Sequence, residues 1–249
     1  MKYILLLTAL LSSGAFASEF DKNMERAKAG DVLSQYKLGL MYDSGSGVPE
    51  NDVEAFKWLR KAADQGASYA QYYLALMYED GTGVPQNDAE AVKLFRKAAD
   101  QGNLNAQTRL GFRYANGEGV PEDDAEAVKL FRKAADQGNA MAQSNLALMY
   151  RNGEGVPEDD AEAVKLFRKA ADQGNAEAQS NLALMYAKGE GVPENSIRAY
   201  VWWSMSKTQG NENAKFNLDI LKPKMTKQQI AEAQALAAKC YESNYKDCD

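Results

Sequence analysis

Residues 140–176 read AMAQSNLALMYRNGEGVPEDDAEAVKLFRKAADQGNA, and this stretch decides the fold because its landmarks recur along the chain. A glycine returns every 36 residues, and so does a Val-Pro pair that follows two closely spaced glycines. A fixed period of about 20–50 residues is typical of a solenoid, in which each repeat packs against its neighbours. The glycines are Gly30, Gly66, Gly102, Gly138, Gly174 and Gly210, and the prolines are Pro49, Pro85, Pro121, Pro157 and Pro193.

The quoted stretch predicts two helices joined by a turn. Leu146 and Tyr150 lie four residues apart, on one face of a first helix. Gly153 is expected to end that helix in the left-handed conformation. A second helix is expected to begin at Asp159, whose side chain can cap it while Glu162 reaches back to the cap. One such hairpin cannot bury its own apolar stripe, so its stability depends on stacking against neighbours.

Five full units follow from the period, and a partial sixth begins at Asn211. Residues 116–140 and 152–176 are identical, which indicates an internal duplication. We expect an N-terminal cap over 18–30, and a partial repeat with a C-terminal capping helix and a disulfide-bonded tail over 211–249. The full units are 31–66, 67–102, 103–138, 139–174 and 175–210.

The repeated pattern is A-x-x-x-L-G/A-x-x-Y, then G-x-G-V-P, then a second helix that ends K-A-A-x-x-G. It resembles the Sel-one-like (SLR) repeat, a relative of the tetratricopeptide repeat with a longer turn. The resemblance implies an all-α fold, a right-handed α/α solenoid of five 36-residue helix-turn-helix repeats with a partial sixth and a capping helix. In most relatives such arrays bring proteins together, so the resemblance implies an adaptor that binds a protein or peptide.

The N-terminus has the pattern of a secretory signal. Lys2 precedes a short apolar run over 3–11, and the sequence Ala15-Phe16-Ala17 supplies a small-residue cleavage site. A membrane anchor is the alternative, but a spanning helix needs about 20 apolar residues. We therefore predict a signal peptide over 1–17 and an exported mature protein, periplasmic or secreted, with no membrane span.

Composition narrows the possible functions. The 249 residues carry 29 Lys+Arg against 35 Asp+Glu, a net charge of −6, which argues against a nucleic-acid partner. The absence of histidine removes Ser-His and Cys-His catalytic pairs and the most frequent metal ligand. The two cysteines, Cys240 and Cys248, are too few for a structural zinc site, and in an oxidising compartment they are expected to pair. We predict no cofactor and no metal.

An enzymatic alternative rests on two Ser-x-x-Lys sequences, at Ser34 and Ser204, which match the nucleophile pattern of penicillin-recognising enzymes. The partner patterns Ser-Asp-Asn and Lys-Thr-Gly are missing. Some cysteine-rich secreted SLR relatives are described as binding or hydrolysing β-lactams, but they carry a cysteine pair in each repeat. This chain has one pair in total, so we predict a non-enzymatic adaptor with no catalytic residue and keep the β-lactam enzyme as the alternative.

Differences between the units indicate a working surface. The second helices of units three and four are identical, whereas the first helices differ most on the side opposite their buried stripe. In the fourth unit this side carries Met141, Ser144 and Leu148, roughly 180° from the buried leucine. If the array resembles tetratricopeptide arrays, this side lines a concave groove. The predicted partner-binding residues there are Tyr36, Leu40, Tyr69, Tyr72, Leu76, Asp80, Thr108, Phe112, Met141, Leu148 and Arg151.

One row of this surface is apolar in every unit, and it permits two interpretations. Its exposed members would anchor a protein or peptide, because apolar patches rimmed by polar groups and tyrosines are typical of interfaces. Alternatively, the row packs against the first helix of the next unit. The protein is expected to act as a monomer. The row consists of Leu40, Leu76, Phe112, Leu148 and Leu184.

Overall fold

A computed structural model describes residues 19–248, in which all regular structure is helical and no strand occurs. The predicted signal peptide, 1–17, lies outside the described residues. The chain divides into two compact units, the first ending at Glu122 and the second beginning at Asp123. The first unit contains α1 (described over 19–28), α2 (Val32–Ser44), α3 (Asp52–Asp64), α4 (Ser68–Asp80), α5 (Asp88–Asp100) and α6 (Leu104–Asn116).

The second unit contains seven helices and one short 3-10 segment within the described residues. Their bounds are α7 (Asp124–Asp136), α8 (Ala140–Asn152), α9 (Asp160–Ala171), α10 (Ala176–Lys188), α11 (Ser196–Thr208), α12 (Glu212–Leu221), the 3-10 segment Lys222–Lys224, and α13 (Lys227–Glu242).

Consecutive helices pack in pairs, as the period predicts. In the first unit α2 packs against α3, α3 against α4, α4 against α5, and α5 against α6. In the second unit the same order runs from α7 to α12, and α13 packs against α11. Alanines at the helix contacts are fully buried and larger side chains fill the space beside them. The prediction of an all-α solenoid of stacked hairpins is confirmed.

Polar side chains begin the second helices as predicted. The Asp159 carboxylate accepts a hydrogen bond from the Glu162 backbone N–H at 2.9 Å and so caps α9. Glu162 does not reach back to the cap; it pairs instead with Lys165 at 2.9 Å. Among the described helices, the reciprocal capping box is formed at α13, between Thr226 and Gln229.

The second glycine of four of the turns, at Gly83, Gly119, Gly155 and Gly191, lets the turn approach the preceding repeat. Gly155 has φ 63°, and a Cβ atom placed on it would lie 2.3 Å from the Asp124 carbonyl oxygen, at the start of α7. Backbone thus contacts backbone where any side chain would clash. This contact is the physical reason for the second glycine of the G-x-G-V-P motif.

Gly155→Ala is expected to lower the free energy of unfolding by about 2 kcal/mol or more, because left-handed strain adds to a backbone clash. Gly138 is the matched control: its φ is 91°, yet a Cβ there meets nothing within 4 Å. Gly138→Ala is therefore expected to show the strain alone. Urea denaturation of both variants measures the difference, and equal losses would mean that the contact with Asp124 has no energetic weight.

A buried glutamine links each hairpin to the one before it. The Gln143 side-chain amide donates to the Ala135 carbonyl at 3.1 Å, and its carbonyl accepts from the Gln173 amide at 2.8 Å. Gln143 is only 4% exposed, so these bonds replace the water that it has lost. The same arrangement joins Gln35 with Ala27 and Gln65, Gln71 with Ala63 and Gln101, and Gln179 with Ala171 and Gln209.

The C-terminal tail folds back onto the second unit. Cys240 and Cys248 form the predicted disulfide, and both are buried. The loop that they close brings Lys246 to the Asp172 carbonyl, with 3.2 Å between Nζ and oxygen. The ring of Tyr245 lies over Gly174, in the turn between α9 and α10. The tail thereby covers the end of the fourth repeat.

Candidate functional site

The first-helix face is the surface that the first helix of each repeat presents in the columns of Met141, Ser144 and Leu148. Its apolar row is partly exposed. Phe112 is 40% exposed, whereas the four leucines of the row are half-buried. Packing between helices therefore covers part of each side chain and leaves the rest accessible. The half-buried leucines are Leu40, Leu76, Leu148 and Leu184.

The other two rows separate into exposed and buried members. Leu33 and Met141 are 49% and 59% exposed. The sequence predicts that Thr108 contacts a partner, whereas its side chain is 4% exposed and its hydroxyl donates to the Leu104 carbonyl at 2.9 Å. Ser144, in the same row, is 3% exposed. Because both hydroxyls lie inside the helix packing, Thr108 leaves the set of candidate contacts.

The predicted tyrosine anchors of the first unit pack against one another. The ring of Tyr36 lies 4.5 Å from that of Tyr69 and 5.7 Å from that of Tyr73, and Tyr72 lies 5.9 Å from Phe95. Burial raises the pKa of Tyr36 to about 12 and also raises the pKa of Tyr72. These tyrosines are half-buried and form a wall of the face instead of projecting freely from it.

Two cavities open beside successive members of the apolar row. The first, of about 300 Å³, lies between α1 and α2 and includes Leu40. The second, of about 180 Å³, lies between α2 and α4 and includes Leu76. The first cavity is lined by Glu19, Asn23, Lys37, Leu40, Met41, Ser44 and Ser46, and the second by Asp43, Leu59, Tyr73, Leu76, Met77, Asp80 and Thr82.

A buried arginine fixes the helix next to Phe112. The Arg113 side chain is 4% exposed and contacts Glu79 at 2.8 Å, Asp88 at 3.0 Å and Glu118 at 3.3 Å. Sequence reasoning missed this residue, although aligning the repeats would have shown it. The other full repeats place a methionine in its column, at Met41, Met77, Met149 and Met185.

In the second unit, one candidate residue is hydrogen-bonded to the next repeat, and two exposed apolar residues extend the first-helix face. Arg151 is half-buried and donates to the Asn181 side-chain carbonyl at 3.1 Å. Phe216 and Ile220 of α12 are 66% and 45% exposed, and they continue the columns of Ser180 and Leu184. Extending the 36-residue period into the partial sixth repeat would have found both.

The candidate nucleophiles differ in burial from the lysines that follow them. Ser34 is 4% exposed, whereas Lys37 is exposed. Ser204 is half-buried on α11, and Lys207 is exposed. In the part of the chain that the structure describes, no three acidic or cysteine side chains group as metal ligands. None of the helices described combines the length and apolar character needed to cross a bilayer.

Comparison with known proteins places the repeats in a family. The Sel1 repeat family model matches five consecutive segments that together cover most of the chain. A sel1-like repeat-containing protein, L18 of Acanthamoeba polyphaga mimivirus, is 46% identical over 43 residues, which is 17% of this chain and 7% of that protein. The five segments are 32–66, 68–103, 104–139, 140–175 and 176–211.

Two solved structures share both fold and sequence with the chain. A Sel1 repeat protein from Oxalobacter formigenes is 35% identical with a TM-score of 0.74, over 80% of this chain and 86% of that one. The protective antigen c5321, present in uropathogenic Escherichia coli strains and displaying an SLR fold, is 32% identical with a TM-score of 0.74. That match covers 92% of this chain but 57% of c5321, so the chain spans little more than half of that relative.

Proposed function

We propose that this chain, which belongs to the Sel1 repeat family, is an exported adaptor. Members of this family are generally protein–protein interaction scaffolds, and their fold is typically non-catalytic. The adaptor binds a protein or peptide on the first-helix face, the side that lines the concave groove in tetratricopeptide-like arrays. The observation that carries the proposal is the pair of cavities beside Leu40 and Leu76 in the first unit.

Apolar side chains of a partner would occupy these cavities. Ligand sites are concave and mainly apolar, with a few polar groups that set orientation. Both cavities are concave and combine leucine and methionine side chains with polar residues, which include Lys37 and Ser44 in one and Asp43 and Asp80 in the other. Phe112, exposed on α6 in the same row, would extend the contact along the first unit.

Export is supported by two independent features. The disulfide between Cys240 and Cys248 is typical of proteins that mature in an oxidising compartment. The N-terminal pattern over 1–17 is that of a cleaved secretory signal. We therefore propose that the adaptor acts in the periplasm or outside the cell, and our proposal takes it to be a monomer.

The double variant Leu76→Ala/Phe112→Ala is expected to weaken peptide binding by about tenfold or more, because truncating interface anchors removes buried apolar contact. Twelve-residue peptides selected from a random phage-displayed library against the wild-type protein serve as the probe, and calorimetry measures their affinity. Val53→Ala is the matched control, since Val53 is 51% exposed but lies on α3, a second helix.

Thermal melts distinguish lost binding from lost folding. Phe112 is 40% exposed and Leu76 half-buried, so the double variant should keep its cooperative transition. If peptides selected on the wild-type protein bind this folded variant with unchanged affinity, the first-helix face is not the binding surface.

A further inference from the structure

The second cavity of the first unit combines an apolar floor with an acidic mouth. Leu59 and Met77 are buried at 1% and 5% exposure and form the floor, and Tyr73 contributes an aromatic wall. Asp43 and Asp80 line the same cavity from α2 and α4, and both are exposed. A ligand in this cavity would meet hydrocarbon along its length and negative charge at its end.

The two carboxylates have no cationic partner among the described residues. Glu79, by contrast, is paired with Arg113 at 2.8 Å and with Arg109 at 3.3 Å. Partial desolvation, together with the nearby Asp52 carboxylate, raises the pKa of Asp43. The negative charge at the mouth is therefore uncompensated within the described chain, and a cation would be favoured there.

The fold does not require this charge. The column of Asp43 holds glutamate, alanine or arginine in the other full repeats, and the column of Asp80 holds serine, asparagine or lysine. Among the first helices of the full repeats, only α2 has an aspartate in the first column and only α4 has one in the second. The columns are Asp43, Glu79, Ala115, Arg151 and Ala187, and Ser44, Asp80, Asn116, Asn152 and Lys188.

We infer that this cavity receives a lysine or arginine side chain of the bound peptide. The methylene stem would pack against Leu76 and Met77, and the cationic head would lie between Asp43 and Asp80. Long basic side chains commonly bury their stems on apolar surface and keep the charged group in a polar environment. A volume of about 180 Å³ equals roughly six water molecules in the liquid, which is room for such a side chain. The inference rests on the proposed function, since it names the chemistry that the first-helix face selects.

The test uses the full chain and the same random 12-residue phage library. Selected peptides are expected to be enriched in lysine or arginine at one position. Replacing that residue by norleucine keeps the stem and removes the charge, and it should weaken binding by about tenfold. The Asp43→Asn/Asp80→Asn variant should weaken binding of the parent peptide equally, and the norleucine peptide should lose nothing more on this variant.

Two controls make the result specific. Asparagine is the residue that repeats three and four hold in the column of Asp80, so this substitution is compatible with the fold. The Asp64→Asn/Asp100→Asn variant removes the same charge from exposed positions that end α3 and α5, at the opposite end of the hairpins. It is expected to bind within twofold of wild type, whereas a tenfold loss would indicate a general charge effect and overturn the inference.

The outcomes separate this inference from the proposed function. Peptides that require Leu76 and Phe112 but show no basic preference, or that bind Asp43→Asn/Asp80→Asn unchanged, would overturn the basic-side-chain site and leave the adaptor standing. Peptides that bind the Leu76→Ala/Phe112→Ala variant unchanged, or a failure to select any peptide, would overturn both. Thermal melts confirm that each variant is folded before its affinity is compared.

Discussion

Replacing Arg113 with methionine is expected to lower the free energy of unfolding by about 3 kcal/mol, although methionine is the residue of this column in the other full repeats. The reason is Glu79, whose side chain is 15% exposed and would lose the guanidinium 2.8 Å away, keeping only the half-exposed Arg109 at 3.3 Å. Asp88 and Glu118 are 41% and 45% exposed, so water can replace the arginine there. Urea denaturation followed by circular dichroism measures the change.

A double-mutant cycle identifies the source of that loss. Alanine occupies the column of Glu79 in repeats three and five, at Ala115 and Ala187. Glu79→Ala/Arg113→Met therefore restores an uncharged pair and is expected to recover most of the stability that Arg113→Met loses. If the double variant is as unstable as the single one, the loss comes from packing around residue 113 and not from a carboxylate that has lost its buried cationic partner.

Gln143→Ala is expected to lower the free energy of unfolding by about 2 kcal/mol. The substitution removes both hydrogen bonds of a buried side chain and leaves a cavity where that side chain packed, although the Ala135 carbonyl keeps its bond from the Gly138 N–H and the Gln173 amide keeps its bond to the Lys169 carbonyl. Because Ala135 belongs to the preceding repeat, the loss weakens the contact between hairpins. Chemical denaturation and amide hydrogen exchange at the end of α7 both report it.

Gln173→Ala supplies the comparison. Gln173 is exposed, so this substitution leaves no cavity in the core, and the buried Gln143 loses one bond but keeps its bond to the Ala135 carbonyl. We expect its loss to stay below about 1 kcal/mol. Equal effects of the two substitutions, or a Gln143→Ala variant as stable as wild type, would show that the buried glutamine does not link the repeats energetically.

Local rules in the sequence were sufficient for most of the fold. The 36-residue period, the left-handed glycine at 153 and the Asp159 cap each depend on residues close in sequence, and each was predicted and found. The prediction that the Glu162 side chain reaches back to the Asp159 backbone was wrong. The Glu162 carboxylate pairs with the positively charged Lys165, three residues further on. The hydrogen bonds of the buried glutamines were not predicted, because a helical pattern of apolar residues assigns polar residues to the solvent side of the helix.

The candidate site was less predictable, because it depends on how helices sit beside one another. A helical wheel places both Thr108 and Leu76 on the predicted binding face, yet Thr108 is buried and Leu76 borders a cavity. The cavity needs α2 and α4 at a particular separation, which no single repeat encodes. Arg113 shows the opposite case, since its departure from a methionine column is visible in the sequence alone.

The glutamine links also bear on how such a chain can change length. The fourth repeat carries both members of its glutamine pair and, near the end of its second helix, the carbonyl that the fifth repeat uses. A unit of this kind, inserted whole by recombination between coding copies, would therefore arrive with its connections complete. The identical segments 116–140 and 152–176 each carry the second-helix glutamine and the carbonyl that the next repeat uses. Selection would then act on the solvent-facing residues of the inserted repeat. The preference for a partner would change while the contacts between repeats stayed the same.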